Sequence, residues 1–226
     1  NSTIITSSKN GMLAMWSIPN DCSEVTLICS LQSQIQVQSL IFSPTEELTA
    51  YVISKEGNIF HYQKDMTEIK EIIALPTPIL FTSVNSNGTA FFSISGDNIL
   101  TIFQINEDNT FKRKVQKKLE SSANILFTII SDELICYSIN DTIYLANPED
   151  GSEHNKVQAS ENDTIVSIQY YSATTELAAM TSAGRVIVWR VDIEKKTFTI
   201  TRRLESSVET QKAYFSPFAK AALTVA

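Results

Sequence analysis

The chain is poor in the residues from which most active sites are made. Six glycines and six prolines are spread through 226 residues, with only two histidines and three cysteines. So few glycines leave little room for a phosphate-cradling loop, and neither a GxSxG nucleophile turn nor an HExxH zinc helix occurs. Cys22, Cys29 and Cys136 are odd in number and lie outside any CxxC spacing. That argues against a disulfide framework and a zinc site, and for a reducing, intracellular compartment. His61 sits beside Tyr62 in an apolar run and His154 in a polar stretch, neither near a nucleophilic Ser or Cys motif. No apolar run approaches the ~18 residues that cross a bilayer, so no transmembrane segment is expected. No secretory signal pattern stands at the start. A net charge of −7 tilts against a nucleic-acid surface. On this composition no catalytic residues, cofactor or metal are expected, and the chain is read as a non-enzyme.

Against this scarcity stands a repeat. GMLAMW (11–16), GNIFHY (57–62), NILTIF (98–103), DTIYLA (141–146) and GRVIVW (184–189) recur about every 43 residues, each a turn residue followed by a short apolar run. A second marker keeps the same beat: Phe42-Ser43-Pro44 and Phe215-Ser216-Pro217 stand about four such periods apart. Gly, Asn and Asp tolerate the left-handed backbone that joins antiparallel strands, so each run is read as the far arm of a hairpin.

The near arms, 3–6, 48–53, 89–94, 133–138 and 176–181, are short, β-rich and free of proline, as central strands are. Upstream of the last four lie more continuously apolar strands near 37–42, 79–84, 125–130 and 164–170, expected to be innermost and packed between neighbours. Downstream lie polar strands at 68–74, 110–119, 153–158 and 196–204, with the charges of an exposed edge. Four strands per period of about 43 residues predicts an all-β fold, a β-propeller of four-stranded antiparallel blades. The strand count places four complete blades at 35–205, the last strands of a truncated blade at 1–34 and the start of a further blade at 206–226. The expectation is therefore a partial propeller from a longer protein.

Gly11, Gly57 and Gly184, with Trp16, Tyr62, Phe103 and Trp189, hold equivalent places in the repeat and are read as blade anchors rather than ligand contacts. Acidic pairs such as Glu46-Glu47 and Glu149-Asp150 fall in connections and read as solvated turns. The densest charge is Lys112, Arg113, Lys114, Lys117 and Lys118. It is read as a solubilising edge strand, with an interaction patch for anionic lipid or an acidic partner as the other reading. Asn1, Asn87, Asn140 and Asn162 open Asn-x-Ser/Thr triplets, about as many as chance supplies in a chain this rich in Asn, Ser and Thr.

The repeats resemble degenerate WD40 repeats. They keep Phe-Ser-Pro after an inner strand and the Gly-to-Trp strand, but lack the Gly-His opening and the Trp-Asp close: Trp16 is followed by Ser17 and Trp189 by Arg190. The buried hydrogen-bonded tetrad of strong WD40 blades is therefore not assumed, and aromatic and aliphatic packing is expected to hold the blades. In blade order, residues 165–171 with 177–190, and earlier 57–62 and 98–104, are similar to the first propeller of the intraflagellar transport protein 140 family. The resemblance implies a complex A subunit at the cilium or ciliary base, on the cytoplasmic side. Its partners would be other complex A subunits and ciliary cargo or adaptor proteins in retrograde transport and cargo entry. Other readings are a propeller of a vesicle-coat, tethering or nuclear-pore scaffold, or one that binds anionic lipid or RNA.

Overall fold

The computed structural model describes residues 2–21, 23–65, 69–119, 125–161, 163–205, 212–215 and 222–225. These residues form β-strands in six antiparallel sheets, with no helix among them. Sheet 1 has three strands, β1 (Ser2–Ser7), β2 (Met12–Ile18) and β3 (Thr26–Gln32). Sheet 2 runs β4 (Val37–Phe42), β5 (Thr49–Ser54), β6 (Asn58–Gln63) and β7 (Lys70–Ala74). Sheet 3 runs β8 (Ile79–Val84), β9 (Ala90–Ser95), β10 (Ile99–Ile105) and β11 (Phe111–Lys118). Sheet 4 is β12 (Ile125–Ser131), β13 (Leu134–Ile139), β14 (Thr142–Ala146) and β15 (Glu153–Gln158). Sheet 5 is β16 (Ile165–Tyr171), β17 (Glu176–Thr181), β18 (Val186–Asp192) and β19 (Thr197–Leu204). Sheet 6 pairs β20 (Lys212–Phe215) with β21 (Ala222–Val225).

The strands group into two compact units, residues 1–116 and 117–226. Within each, the alternation of a strand's side chains decides which neighbour it serves. In the first unit Leu13 and Met15 of β2 pack against Ala50, Val52, Phe60 and Tyr62 of sheet 2. The other face of sheet 2 sends Tyr51, Ile53 and Ile59 onto Phe91, Phe103 and Ile105 of sheet 3. The second unit repeats the rule, with Ile143 and Leu145 of β14 meeting Leu177, Ala179, Ile187 and Trp189 of sheet 5. On the opposite face of sheet 5, Ala178, Met180 and Val188 form their own cluster. In β6, alternate residues counted from the turn serve the two neighbours, Ile59 packing with sheet 3 and Phe60 and Tyr62 with sheet 1.

Burial peaks on the two central strands. Every residue of β5 is buried, whereas β4 is mostly half-exposed, and β8, β12 and β16 follow β4. In sheet 2 the apolar first strand does pack between neighbours, with Val37, Leu40 and Phe42 joining the cluster shared with sheet 1 and Ile41 the one shared with sheet 3, but it is less buried than the central strands. As a sheet edge it has a strand on one side only, while the second and third strands are flanked on both.

Phe111 stands 5.0 Å from Phe91 and 5.4 Å from Tyr51 between ring centroids, in tilted and edge-on arrangements. Such pairs contribute about 0.5–1.5 kcal/mol each beyond the area they bury.

Candidate functional site

The turn between the second and third strands is the best-built local feature, and its glycines are explained by contact as well as by conformation. Gly11 and Gly57 have φ of 85° and 101°. A Cβ on Gly11 would stand 2.1 Å from the Ser33 carbonyl oxygen, and one on Gly57 2.5 Å from that of Thr77. The chain leaving the outer strand passes over this turn. The amides of Ser33, Leu75 and Ala159 donate to the carbonyls of Gly11 (2.9 Å), Gly57 (3.3 Å) and Asp141 (2.8 Å). From the other side Lys55, Gly96 and Ser182 donate to Gln36 (2.9 Å), Pro78 (2.8 Å) and Thr164 (2.8 Å). Gly184 has the matching φ of 81°. In sheet 4 the left-handed residue is Asn140 (φ 54°), one before the Asp141 that marks the repeat, because β13 and β14 are joined by a two-residue turn.

Side chains reinforce the clasp in two sheets. Thr77 and Ser95 both donate to Asp97 Oδ1, at 3.1 and 2.5 Å. Asp163 Oδ1 accepts from the Ser182 hydroxyl (2.6 Å) and the Ala183 amide (3.0 Å). Burial alone would raise the Asp163 carboxyl. Hydrogen bonds from Ser182, Thr181 and Ala183 and the Arg185 charge outweigh it and hold the group below the usual carboxylate range. The expectation that aromatic and aliphatic packing alone holds the sheets is therefore incomplete, because carboxylates clasp the turns of sheets 3 and 5.

The repeat anchors occupy different environments. Tyr62, Phe103 and Trp189 are buried. Tyr62 lies with its hydroxyl 3.4 Å from Cys29 Sγ, and burial pushes that phenol well up. Trp189 is packed against Phe198, with its indole nitrogen buried and unpartnered among the described residues. Trp16 is half-exposed and donates to the Thr6 hydroxyl at 2.9 Å.

Lys112, Arg113, Lys114 and Lys118 are exposed on β11, the edge of sheet 3. Lys117 is half-buried, donating to Glu153 Oε1 (2.8 Å) and the Gly151 carbonyl (3.2 Å). That bond is the largest influence holding the Glu153 carboxyl low. Glu153 also accepts from the buried Tyr137 hydroxyl at 3.1 Å. Lys117 is thus tied down by Glu153 and the Gly151 carbonyl. Arg202 of β19 is tied in the same way, with one nitrogen 2.8 Å from both carboxylate oxygens of Glu176.

Two further polar clusters were not visible in the sequence. His61 Nε2 stands 3.8 Å from Glu46, which accepts from Asn109 at 2.9 Å, while the Tyr51 hydroxyl reaches Asn109 at 3.4 Å. Burial pushes the imidazole down, with Glu46 opposing. In the second unit a groove of about 590 Å³ is lined by Gln158, Ser160, Glu161, Arg185, Arg203 and Glu205. Arg185 donates to Ser160 at 2.6 Å and lies 3.7 Å from Asp163 and 3.9 Å from Glu205. Its guanidinium is held by the chain's own groups. His154, on the exposed β15, has its Nε2 3.0 Å from the Lys196 amine. Among the described residues no group of three or more His, Cys, Asp or Glu could hold a metal.

No family model matches the chain, and no curated protein matches it in sequence. Solved structures do match in fold. A chain of a mitotic checkpoint complex is 15% identical with a TM-score of 0.71, over 96% of this chain and 68% of that one. The WD40 domain of Toxoplasma gondii coronin is 12% identical with a TM-score of 0.74, over 94% and 58%. Sqt1 from Chaetomium thermophilum is 13% identical with a TM-score of 0.68, over 94% and 59%. The chain thus spans between 58% and 68% of these proteins. At such identities the likeness shows the fold, which is that of the WD40 β-propellers.

Proposed function

We propose that this chain is a non-catalytic interaction scaffold, and more narrowly a propeller of an intraflagellar transport complex A subunit. The observation that carries the scaffold reading is where its polar side chains go. Asp97, Asp163, Thr77, Ser95 and Ser182 clasp the chain's own turns, and Asn109 braces Glu46. What is offered to solvent is strand edges and sheet faces, the surfaces on which one protein docks another. One neighbour in fold comes from a mitotic checkpoint complex, so sheets of this kind serve within a multiprotein assembly elsewhere.

The narrower reading is supported by the strand-level similarity of residues 57–62, 98–104 and 177–190 to blades of the intraflagellar transport protein 140 family, in the same order. It predicts residence in the cilium or at the ciliary base on the cytoplasmic side, with partners among the complex A subunits and ciliary cargo or adaptor proteins. Affinity purification of the native protein from ciliated cells, with quantitative mass spectrometry, tests it. Stoichiometric recovery of complex A subunits supports the assignment. Recovery of coat, tethering or nuclear-pore proteins in their place replaces it while leaving the scaffold.

A further inference from the structure

β11 closes sheet 3 and, among the described residues, has β10 as its one strand neighbour, with described chain before and after it. Its open side therefore belongs to a complete four-stranded sheet in the interior of the sequence. Along that side the charge is of one sign. β11 carries five of the chain's 18 Lys and Arg and no Asp or Glu, in a protein whose formal charge is −7. Guarding an edge needs charge of either sign. The outer strands of sheets 2, 4 and 5 keep to that: β7 and β15 each mix Glu with Lys, and Arg202 of β19 is paired with Glu176. In β11, Lys112, Arg113, Lys114 and Lys118 are all exposed, and Lys117 alone of the five is half-buried.

We propose that the open edge of β11, over residues 111–116, is a docking site for an acidic segment of a partner protein. That segment adds to sheet 3 as an extended strand, with Asp or Glu at the alternate positions opposite Lys112 and Lys114.

Strand addition divides recognition between backbone, which gives affinity, and alternate side chains, which give specificity. The backbone edge is held from behind, because Phe111 packs on Phe91, Tyr51 and Phe103 with ring centroids 5.0, 5.4 and 5.9 Å apart. Side chains alternate along a strand, so Lys112, Lys114 and Gln116 share one face, and all three are exposed. Cross-strand neighbours of opposite charge stabilise a pair and like charges oppose it. The row that turns away basic strands therefore selects an acidic one. Acids bracket the run in the sequence, Glu107 and Asp108 before it and Glu120 after it. An anion one strand long avoids them, whereas a membrane surface or a long polynucleotide would bring its phosphates against them. Among the described strands none carries two Asp or Glu, so a second copy has no matching strand to offer and the occupant is another protein.

The test uses the intact protein and a synthetic peptide, TEVEVET, blocked at both ends. A scrambled peptide, EEETVTV, keeps its composition and charge but not the alternation. Hydrogen exchange of residues 111–116 and the anisotropy of labelled peptide are followed at low salt. The expected result is slowed exchange confined to β11, saturating below about 1 mM, with the scrambled peptide weaker by roughly tenfold or more. Lys112→Glu with Lys114→Glu, at two exposed side chains, should weaken TEVEVET roughly tenfold or more and let the charge-swapped TKVKVKT bind in its place, a gain that a misfolded variant would not show. Unchanged exchange across β11 at about 1 mM peptide overturns the inference. So does equal binding of the scrambled peptide, which would reduce the strand to solvated charge. Tighter binding of an oligouridylate, or of vesicles containing phosphatidylserine, that the same double variant abolishes overturns the choice of partner. Because the peptide reports what sheet 3 binds directly, its failure leaves the ciliary assignment untouched, and loss of that assignment leaves the docking edge standing.

Discussion

Replacing Gly57 with alanine separates the two reasons for a glycine in the second turn, and Gly96→Ala supplies the control. At Gly57, φ is 101° and an added Cβ would lie 2.5 Å from the Thr77 carbonyl oxygen, 3.1 Å from its carbon and 3.3 Å from the Leu75 oxygen. The left-handed backbone costs an L-residue about 1–2 kcal/mol. Relieving the overlap means moving backbone, which by analogy with an overpacked core costs about 1–3 kcal/mol. It also strains the bond from the Leu75 amide to the Gly57 carbonyl, already 3.3 Å long. Restricting the unfolded chain returns about 0.5–1 kcal/mol. The net is a loss of about 3 kcal/mol, or about 1.5 M in urea midpoint at a slope near 2 kcal/mol per molar. At Gly96 the backbone is not left-handed and the nearest atom to an added Cβ, the Pro78 oxygen, is 3.6 Å away. There the unfolded-state term stands alone, and Gly96→Ala should be neutral or stabilise by up to about 1 kcal/mol. Urea unfolding followed by circular dichroism reads both. Equal shifts for the two variants, or a loss under about 1 kcal/mol at Gly57, would refute the close-approach account.

Asp163→Asn should cost about 1–3 kcal/mol at neutral pH. The contribution of a depressed carboxyl is full above its unfolded value near 3.9 and drains as pH falls through the lower folded value, so wild type and variant should converge in acid in pH-dependent urea melts. His61 stands where the other third strands carry Met15, Ile102, Leu145 and Val188, and its imidazole is pushed down by burial. As pH falls through the unfolded histidine value near 6.5, the unfolded chain takes up a proton that the folded site resists, and stability drops. His61→Leu should remove that slope and stabilise by about 1 kcal/mol in thermal melts between pH 5 and 8. Acrylamide should quench the emission of Trp189→Phe, which leaves the half-exposed Trp16, far more than that of Trp16→Phe; equal quenching would contradict the placement of the two indoles.

The strand pattern was legible because alternation and turn residues are local. Strands read at 37–42, 79–84 and 153–158 coincide with β4, β8 and β15. What a strand packs against is not local. Trp16 and Trp189 have the same offset from their turns, and nothing within either hexapeptide tells that one is half-exposed and the other buried. How far a first strand is buried is not local either, because apolar content does not reveal whether a strand has hydrogen-bonded neighbours on both sides. The polar clasps join residues 20 apart between Thr77 and Asp97 and 19 apart between Asp163 and Ser182, on segments that meet only once the sheets form. The brace from Asn109 to Glu46 spans 63 residues. Asp97 in the turn Ser95-Gly96-Asp97 was the available signal, but the Gly-His opening that would have flagged a tetrad is missing from these repeats.

Alternate allegiance along the third strand limits how such a chain can change in length. In sheet 2, Ile59 faces sheet 3 while Phe60 and Tyr62 face sheet 1. One residue inserted between Gly57 and Tyr62 would send each following side chain to the wrong neighbour, undoing two interfaces at once. Adding or removing a whole unit of about 43 residues keeps every side chain on its proper face. Divergence within such a lineage is therefore stepwise in its strands and continuous only in its connections, and relatives should differ by entire repeats or by loops, with intermediate lengths rare.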